Sequence, residues 1–242
     1  MNAWFLLGAL ITALLAATDQ SLTLTPPAVV VALNGSQLKG TPQQLAWSPD
    51  GKSLCLRTLE GDSQGKWRSY LIALDARTFQ GLDATPEWAA SYWEWKSSRT
   101  APGRPGMVVQ VETTNKTGTI PTQSLRDKAR GGMIENAVAA REQAGSVTRT
   151  LTLKGETIGQ YVNQPLVPGM TFGWSPEALH AVAYAKPDGH LAVLDLDAGP
   201  INVDGADNVL LPAWSPDGKK VAYLQKTGRR DYVVSTIDVA RP

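Results

Sequence analysis

The sequence predicts an all-β fold assembled from repeated small sheets, and three observations predict it. A Trp-Ser-Pro motif occurs at Trp47, Trp174 and Trp214, each time at the end of a short apolar run. The runs that follow alternate smaller and larger side chains, as in Ala181–Tyr184, the two-residue period of a strand rather than the 3.6-residue period of a helix. Gly (22 residues) and Pro (16) fall between the runs, where tight turns need them. With 242 residues, 43% of them hydrophobic, the chain has enough material for one large all-β domain with its own core. Its 23 basic and 22 acidic residues nearly balance and form no basic stripe, which argues against a nucleic-acid partner.

The repeats align as Leu45–Lys52, Phe172–Glu177 and Pro212–Lys219, and Trp174 and Trp214 stand 40 residues apart. In the first and last copies the turn is Ser-Pro-Asp-Gly. Pro fixes φ, Asp50 or Asp217 bonds back to the backbone, and Gly51 or Gly218 takes a positive φ without a clash. The middle copy has Glu177-Ala178 instead, so its turn must differ. After each turn comes a strand such as Val221–Leu224 or Ala181–Tyr184, then a polar hairpin, then another strand such as Tyr232–Ile237 or Leu191–Leu196. Tyr92–Ser98 followed by Met107–Glu112 reads as a degenerate fourth copy centred on Trp95, without the Pro-Asp-Gly turn.

This pattern resembles the TolB-type β-propeller repeat, a relative of the WD-repeat family, over about half the chain. The resemblance implies a β-propeller, with four blades centred on Trp47, Trp95, Trp174 and Trp214. A fifth, thin blade drawn from the insert region is the alternative count. It also implies protein–protein contacts, although the motif is specific for the repeat and says little about function.

The remaining segments fit around those blades. Trp4–Ala17 is an uncharged apolar run of 14 residues, short for a bilayer span and suited to a signal-peptide core, with small residues at Ala16–Thr18 for cleavage. No Lys or Arg precedes it, which leaves an uncleaved anchor or a buried helix as other readings. The expected organisation is a signal peptide at 1–18 and a propeller at 19–242, with no stable membrane span after cleavage. Ala28–Leu33 reads as a strand, Asn34-Gly35 as a hairpin turn and Ser36–Lys39 as the start of a return strand. Because the last repeat ends without an outer strand, the N-terminal strand is expected to join it and close the ring. An insertion at about 115–146 carries a short helical pattern, Met133–Ala144. Val147–Leu153 and Thr157–Val162 then read as a strand pair of the second blade.

No catalytic constellation emerges. Gly61–Gly65 spells G-x-S-x-G around Ser63, but it lies between two strands of one blade, and a nucleophile elbow needs a strand-to-helix turn. His180 and His190 are the only candidate bases, and both are read as lying in strands of the Trp174 blade. Cys55, the only cysteine, reads as a small buried hydrophobe. Asp195, Asp197, Asp204 and Asp207 lack the spacing of a calcium loop. No cofactor or metal is expected. The least ordinary group is aromatic: Trp88, Tyr92 and Trp93, with Trp67 in the preceding blade. Read as a strand, it places Trp93 and Trp95 on one face and Tyr92 on the other. The leading functional expectation is an exported, non-catalytic propeller, periplasmic or extracellular, that binds a protein partner or scaffolds an assembly. The alternative is a glycan or small-ligand binder using Trp67, Trp88, Tyr92 and Trp93. An enzyme built on a propeller scaffold is the third reading.

Overall fold

The computed structural model describes residues 21–61, 65–96, 98–116, 146–162 and 171–241. The expected signal peptide, the expected helix at Met133–Ala144 and Ser63 lie outside these residues. Four sheets of three to five strands form a four-bladed β-propeller. Among the described residues no helix is long and apolar enough to cross a membrane.

Two strands, β1 (Thr23–Leu24) and β2 (Ala28–Leu33), precede the first blade. That blade is β3 (Thr41–Trp47), β4 (Ser53–Glu60), β5 (Lys66–Ala73) and β6 (Thr78–Leu82), in antiparallel order. A helix, α1 (Glu87–Lys96), and a small hairpin of β7 (Thr100–Ala101) with β8 (Arg104–Val108) lead to the second blade. It comprises β9 (Gln110–Lys116), β10 (Ser146–Leu153) and β11 (Glu156–Val162). The third is β12 (Phe172–Trp174), β13 (Ala181–Ala185), β14 (Leu191–Asp195) and β15 (Gly199–Asn202). The fourth is β16 (Val209–Trp214), β17 (Lys220–Lys226) and β18 (Tyr232–Ala240).

The N-terminal strand closes the ring as expected. Strand β2 pairs antiparallel with β18 from Leu33–Tyr232 to Ala28–Thr236, and β1 continues the ladder at Leu24–Val239. Between them, at the Pro26-Pro27 break, the Thr25 N–H donates to Asp238 O (3.0 Å) and the Asp238 N–H to Thr25 Oγ1 (2.8 Å).

The expected Asn34-Gly35 hairpin does not form, because residues 34–40 carry the chain from the fourth blade to the first without pairing back. The Asn34 carboxamide accepts from the Ser36 N–H (2.8 Å), and the Gly35 N–H donates to Asp231 (3.2 Å) on the neighbouring hairpin. A Cβ at Gly35 would sit 2.4 Å from Arg230 Cβ, so the glycine answers to this crossing rather than to a hairpin.

Each repeat tryptophan ends an inner strand, buried on both faces, and the Ser-Pro-Asp-Gly turn works through its side chains. Ser48 Oγ donates to Asp50 (2.6 Å) and accepts from the Ser53 N–H (2.9 Å), while Asp50 also accepts from the Lys52 N–H (3.1 Å). Gly51 sits at φ +68°. The same bonds recur from Ser215 to Asp217, from Lys220 to Ser215 and from Lys219 to Asp217, with Gly218 at φ +72°. The middle turn differs, as its sequence required. Without Asp-Gly it takes one residue more, winding Glu177–Leu179 into a 3₁₀ turn before His180 at φ +50°. Ser175 accordingly bonds Ala181 six residues on, where Ser48 bonds Ser53 five on.

The turn gives the fold one of its pH dependences. The Ser215 hydroxyl, then the Lys219 N–H and charge, hold the Asp217 carboxyl below the usual carboxylate range, against the opposing effect of partial burial. A depressed folded pKa stabilises above the unfolded pKa and is lost as pH falls through the folded one. Asp217→Asn should therefore lower the melting temperature at about pH 6, and the gap to the parent should shrink below about pH 4. A gap that stays constant from neutral to strongly acidic pH would contradict this reading.

The second blade departs from the repeat. The segment expected to be a strand centred on Trp95 is helix α1. Glu-Trp-Ala-Ala-Ser-Tyr-Trp-Glu-Trp-Lys contains no β-branched residue, and Pro86 opens it by accepting from the Ala89 N–H (3.0 Å). The helix stands where an inner strand would. Trp47 Nε1 donates to Ala213 O of the preceding, fourth blade (2.8 Å), and Trp174 Nε1 reaches Ser98 O just after α1 (2.5 Å).

Four clusters of buried apolar side chains fill the junctions between blades. Trp47, Leu45 and Leu56 meet Ala213 and Leu224 between blades one and four, and Trp214 and Tyr223 meet Ala183 and Val193 between four and three. Trp174 and Tyr184 meet Leu151 and Ile158 between three and two. The junction of blades one and two is much smaller: Ala46 and Cys55 against Ala89 and Trp93 of α1. Burial pushes the Cys55 thiol up to about 12, consistent with a packed, unreactive side chain.

Candidate functional site

The aromatic residues singled out in the sequence lie along α1 and beside it. Trp93 is buried, Trp88 and Tyr92 are half-buried, and Trp67 is the most exposed of the four, at 38%. Of Trp95, only its place in α1 is described. The expected two-faced strand is replaced by helical neighbours: Trp88 lies over Tyr92, and Ala89 over Trp93. Tyr92 reaches across the ring, its hydroxyl donating to Trp214 O of the fourth blade (2.7 Å), and burial raises its pKa. The Arg57 guanidinium lies 4.1 Å from the Trp67 ring centroid and 6.0 Å from that of Trp93, so the cluster already holds a cation. Burial lowers the pKa of Arg57.

The face where the inner strands end carries most of the remaining charge pairs. Neither histidine lies in a strand, contrary to expectation: His180 ends the 3₁₀ turn and His190 closes the β13–β14 hairpin, at opposite ends of β13. Ala178-Leu179 before His180 and Leu191-Ala192-Val193 after His190 do not reveal on which side of each histidine the strand stops. Arg104 Nη2 lies 2.7 Å from His180 Nδ1 and 2.8 Å from Asp197. Asp195 is fully buried. It accepts from the Asp197 N–H (2.9 Å) and from Arg241 (3.0 Å), a turn-holding role. Asp207 pairs instead with His190, 2.7 Å away on the opposite face. Asp195, Asp197 and Asp207 thus serve local contacts with Arg241, Arg104 and His190.

The opposite face, where the inner strands begin, is concave. A cavity of about 410 Å³ opens where blades two, three and four meet. Its apolar part includes Val162, Ala185, Pro187, Val209 and Leu210, and Val162 is 50% exposed. Its polar part includes Gln160, Asn208 and the Tyr161 hydroxyl, which shares a 2.9 Å hydrogen bond with Thr171. Burial pushes the Tyr161 phenol up to about 12, so it stays protonated and available to donate or accept. A second cavity, about 590 Å³, opens between blades one and four, and Lys226 borders both. Sequence reasoning missed both cavities. Each is lined by strand starts and hairpin tips of separate blades, which no local pattern brings together.

No known protein-family profile matches the chain, and no curated protein matches it. Solved structures give distant likenesses. TolB from Acinetobacter baumannii is 16% identical with a TM-score of 0.26, the match covering 84% of this chain and 44% of that one. Sqt1 from Chaetomium thermophilum is 16% identical with a TM-score of 0.23, over 84% and 44%. A gluconolactonase from Xanthomonas campestris is 10% identical with a TM-score of 0.25, over 86% and 61%. The chain spans less than two thirds of each of these structures.

Proposed function

We propose that this chain is an exported, non-catalytic binding propeller of the TolB repeat type, taking a protein partner at the cavity between blades two, three and four. The cavity itself carries the reading. It is an amphipathic concavity on a rigid ring, with the exposed Val162 and the half-buried Leu210 beside the fixed polar groups of Tyr161, Thr171 and Asn208. An apolar residue half in solvent beside convergent hydrogen-bonding groups suits an inserted side chain and its flanking peptide. The Ser-Pro-Asp-Gly turns support the repeat type, and the apolar run Trp4–Ala17 supports export to the periplasm or beyond.

The test is capture from extracellular or periplasmic extract of the host, followed by reassembly with the purified partner. Val162→Arg should weaken that partner's binding by at least about tenfold while leaving the melting temperature unchanged. Equal binding by both forms would move the interface elsewhere. Turnover of a lactone, glycoside or phosphoester panel above background would overturn the non-catalytic part of the reading.

A further inference from the structure

The second cavity, between blades one and four, has a different character from the first. Four cationic side chains line it: Lys39 on the crossing from β2 to β3, Lys226 at the end of β17, and Arg229 and Arg230 at the tip of the β17–β18 hairpin. All four are exposed, and none makes an ion pair with another described residue. The one carboxylate among the described lining residues, Glu60, pairs with Arg68 at 2.6 Å and also feels the charge of Lys39, leaving an excess of positive charge in the hollow. The adjacent Asp231 carboxylate accepts from the Gly35 N–H (3.2 Å) and helps fix the hairpin against the crossing segment.

Gathering four positive charges around one concavity costs repulsion that a bound anion would relieve. The guanidinium groups of the neighbouring residues Arg229 and Arg230 supply planar donor forks suited to oxyanions, and the two ammonium groups add mobile point charges. The volume, about 590 Å³, is that of a small-molecule site. A duplex or long polyanion would need a stripe of contacts, which four residues in one hollow do not provide.

We infer that this cavity binds a compact polyanion bearing two or more phosphate or carboxylate groups. The chain reversal at residues 34–40 and the β17–β18 hairpin form its two walls. The site is independent of the first cavity apart from Lys226, which borders both.

Titration calorimetry of the full chain with sodium tripolyphosphate and, separately, with citrate at low salt tests the inference. At least one probe should bind with one-to-one stoichiometry and weaken steeply as salt is raised. Arg229→Glu with Arg230→Glu should lower that affinity by at least about tenfold. Lys52→Glu with Lys219→Glu, the same charge change on the opposite face, should leave it within about twofold. Tripolyphosphate binding alone identifies a phosphorylated ligand, and citrate binding alone identifies a polycarboxylate. Binding of neither probe, or equal losses from the two double variants, would overturn the inference. Val162→Arg should not affect either probe, so this site and the proposed partner site fail or survive separately.

Discussion

A chain beginning at residue 34, without the strands that close the ring, should lose most of its folding stability. Leu22 and Leu33 are 3% and 1% exposed, and each is part of a core between blades: Leu22 between four and three, Leu33 between one and four. Losing a buried leucine costs about 2–5 kcal/mol, so the two together approach the 5–15 kcal/mol that holds a typical domain. Val30 and Val31 pack on the same core, and β18 would be left as a bare edge from Tyr232 to Thr236. Denaturant unfolding of the shortened chain should begin without a native baseline or show a midpoint far below that of the chain from residue 21. Adding a peptide of residues 21–40 should restore part of the native signal. An unchanged midpoint would mean that the C-terminal blade stands without its N-terminal partner.

Trp214→Ala should destabilise the fold by about 3–5 kcal/mol, the cost of emptying a fully buried indole site. Trp214 is 0% exposed and lies between the third and fourth blades with Tyr223, Val193 and Ile237. A comparison with phenylalanine separates packing from hydrogen bonding. The Trp214 Nε1 has no acceptor among the described residues, whereas Trp47 Nε1 donates to Ala213 O at 2.8 Å. Trp47→Phe leaves a buried carbonyl unmatched and should cost about 1–3 kcal/mol more than Trp214→Phe. Urea midpoints of the three variants provide the measurement. A loss below about 1 kcal/mol for Trp214→Ala would remove the claim that this indole fills the junction.

Much of this architecture was legible because the repeat states its own geometry. Trp-Ser-Pro-Asp-Gly encodes a strand end, a side-chain-braced turn and a strand start within a few residues, and both full copies form the same bonds. The middle copy announced its own exception through Glu177-Ala178. Strand β2 was readable from the apolar run Ala28–Leu33 and from the missing outer strand of the last repeat.

Helix α1 was misread because Trp95 was matched to the repeat by identity alone. The spacing of Trp88 with Tyr92 and Ala89 with Trp93, both four residues apart, carried the helical period. The outer strands β6 and β15 went unseen because Thr-Phe-Gln-Gly-Leu and Gly-Pro-Ile-Asn carry little strand propensity and take their form from the neighbour they pair with. The basic cavity was invisible for a different reason. Lys39 and Lys226 come together only because the N-terminal segment returns to the last blade.

The junction built on α1 gives the ring an unequal mechanical character. Three junctions bury broad aliphatic surfaces around their indoles, while the one between blades one and two buries only Ala46, Cys55, Ala89 and Trp93, with Trp88 and Tyr92 packed partly against them. Local opening is cheaper where few apolar contacts are buried, so amide hydrogens of α1 should exchange with solvent before those of β13 or β17, as hydrogen-exchange measurement would show. The N-terminal strand, sewn along β18 from Leu24 to Leu33, holds the opposite side shut. On this packing the ring is weakest at the helix and strongest where the N-terminal strand closes it.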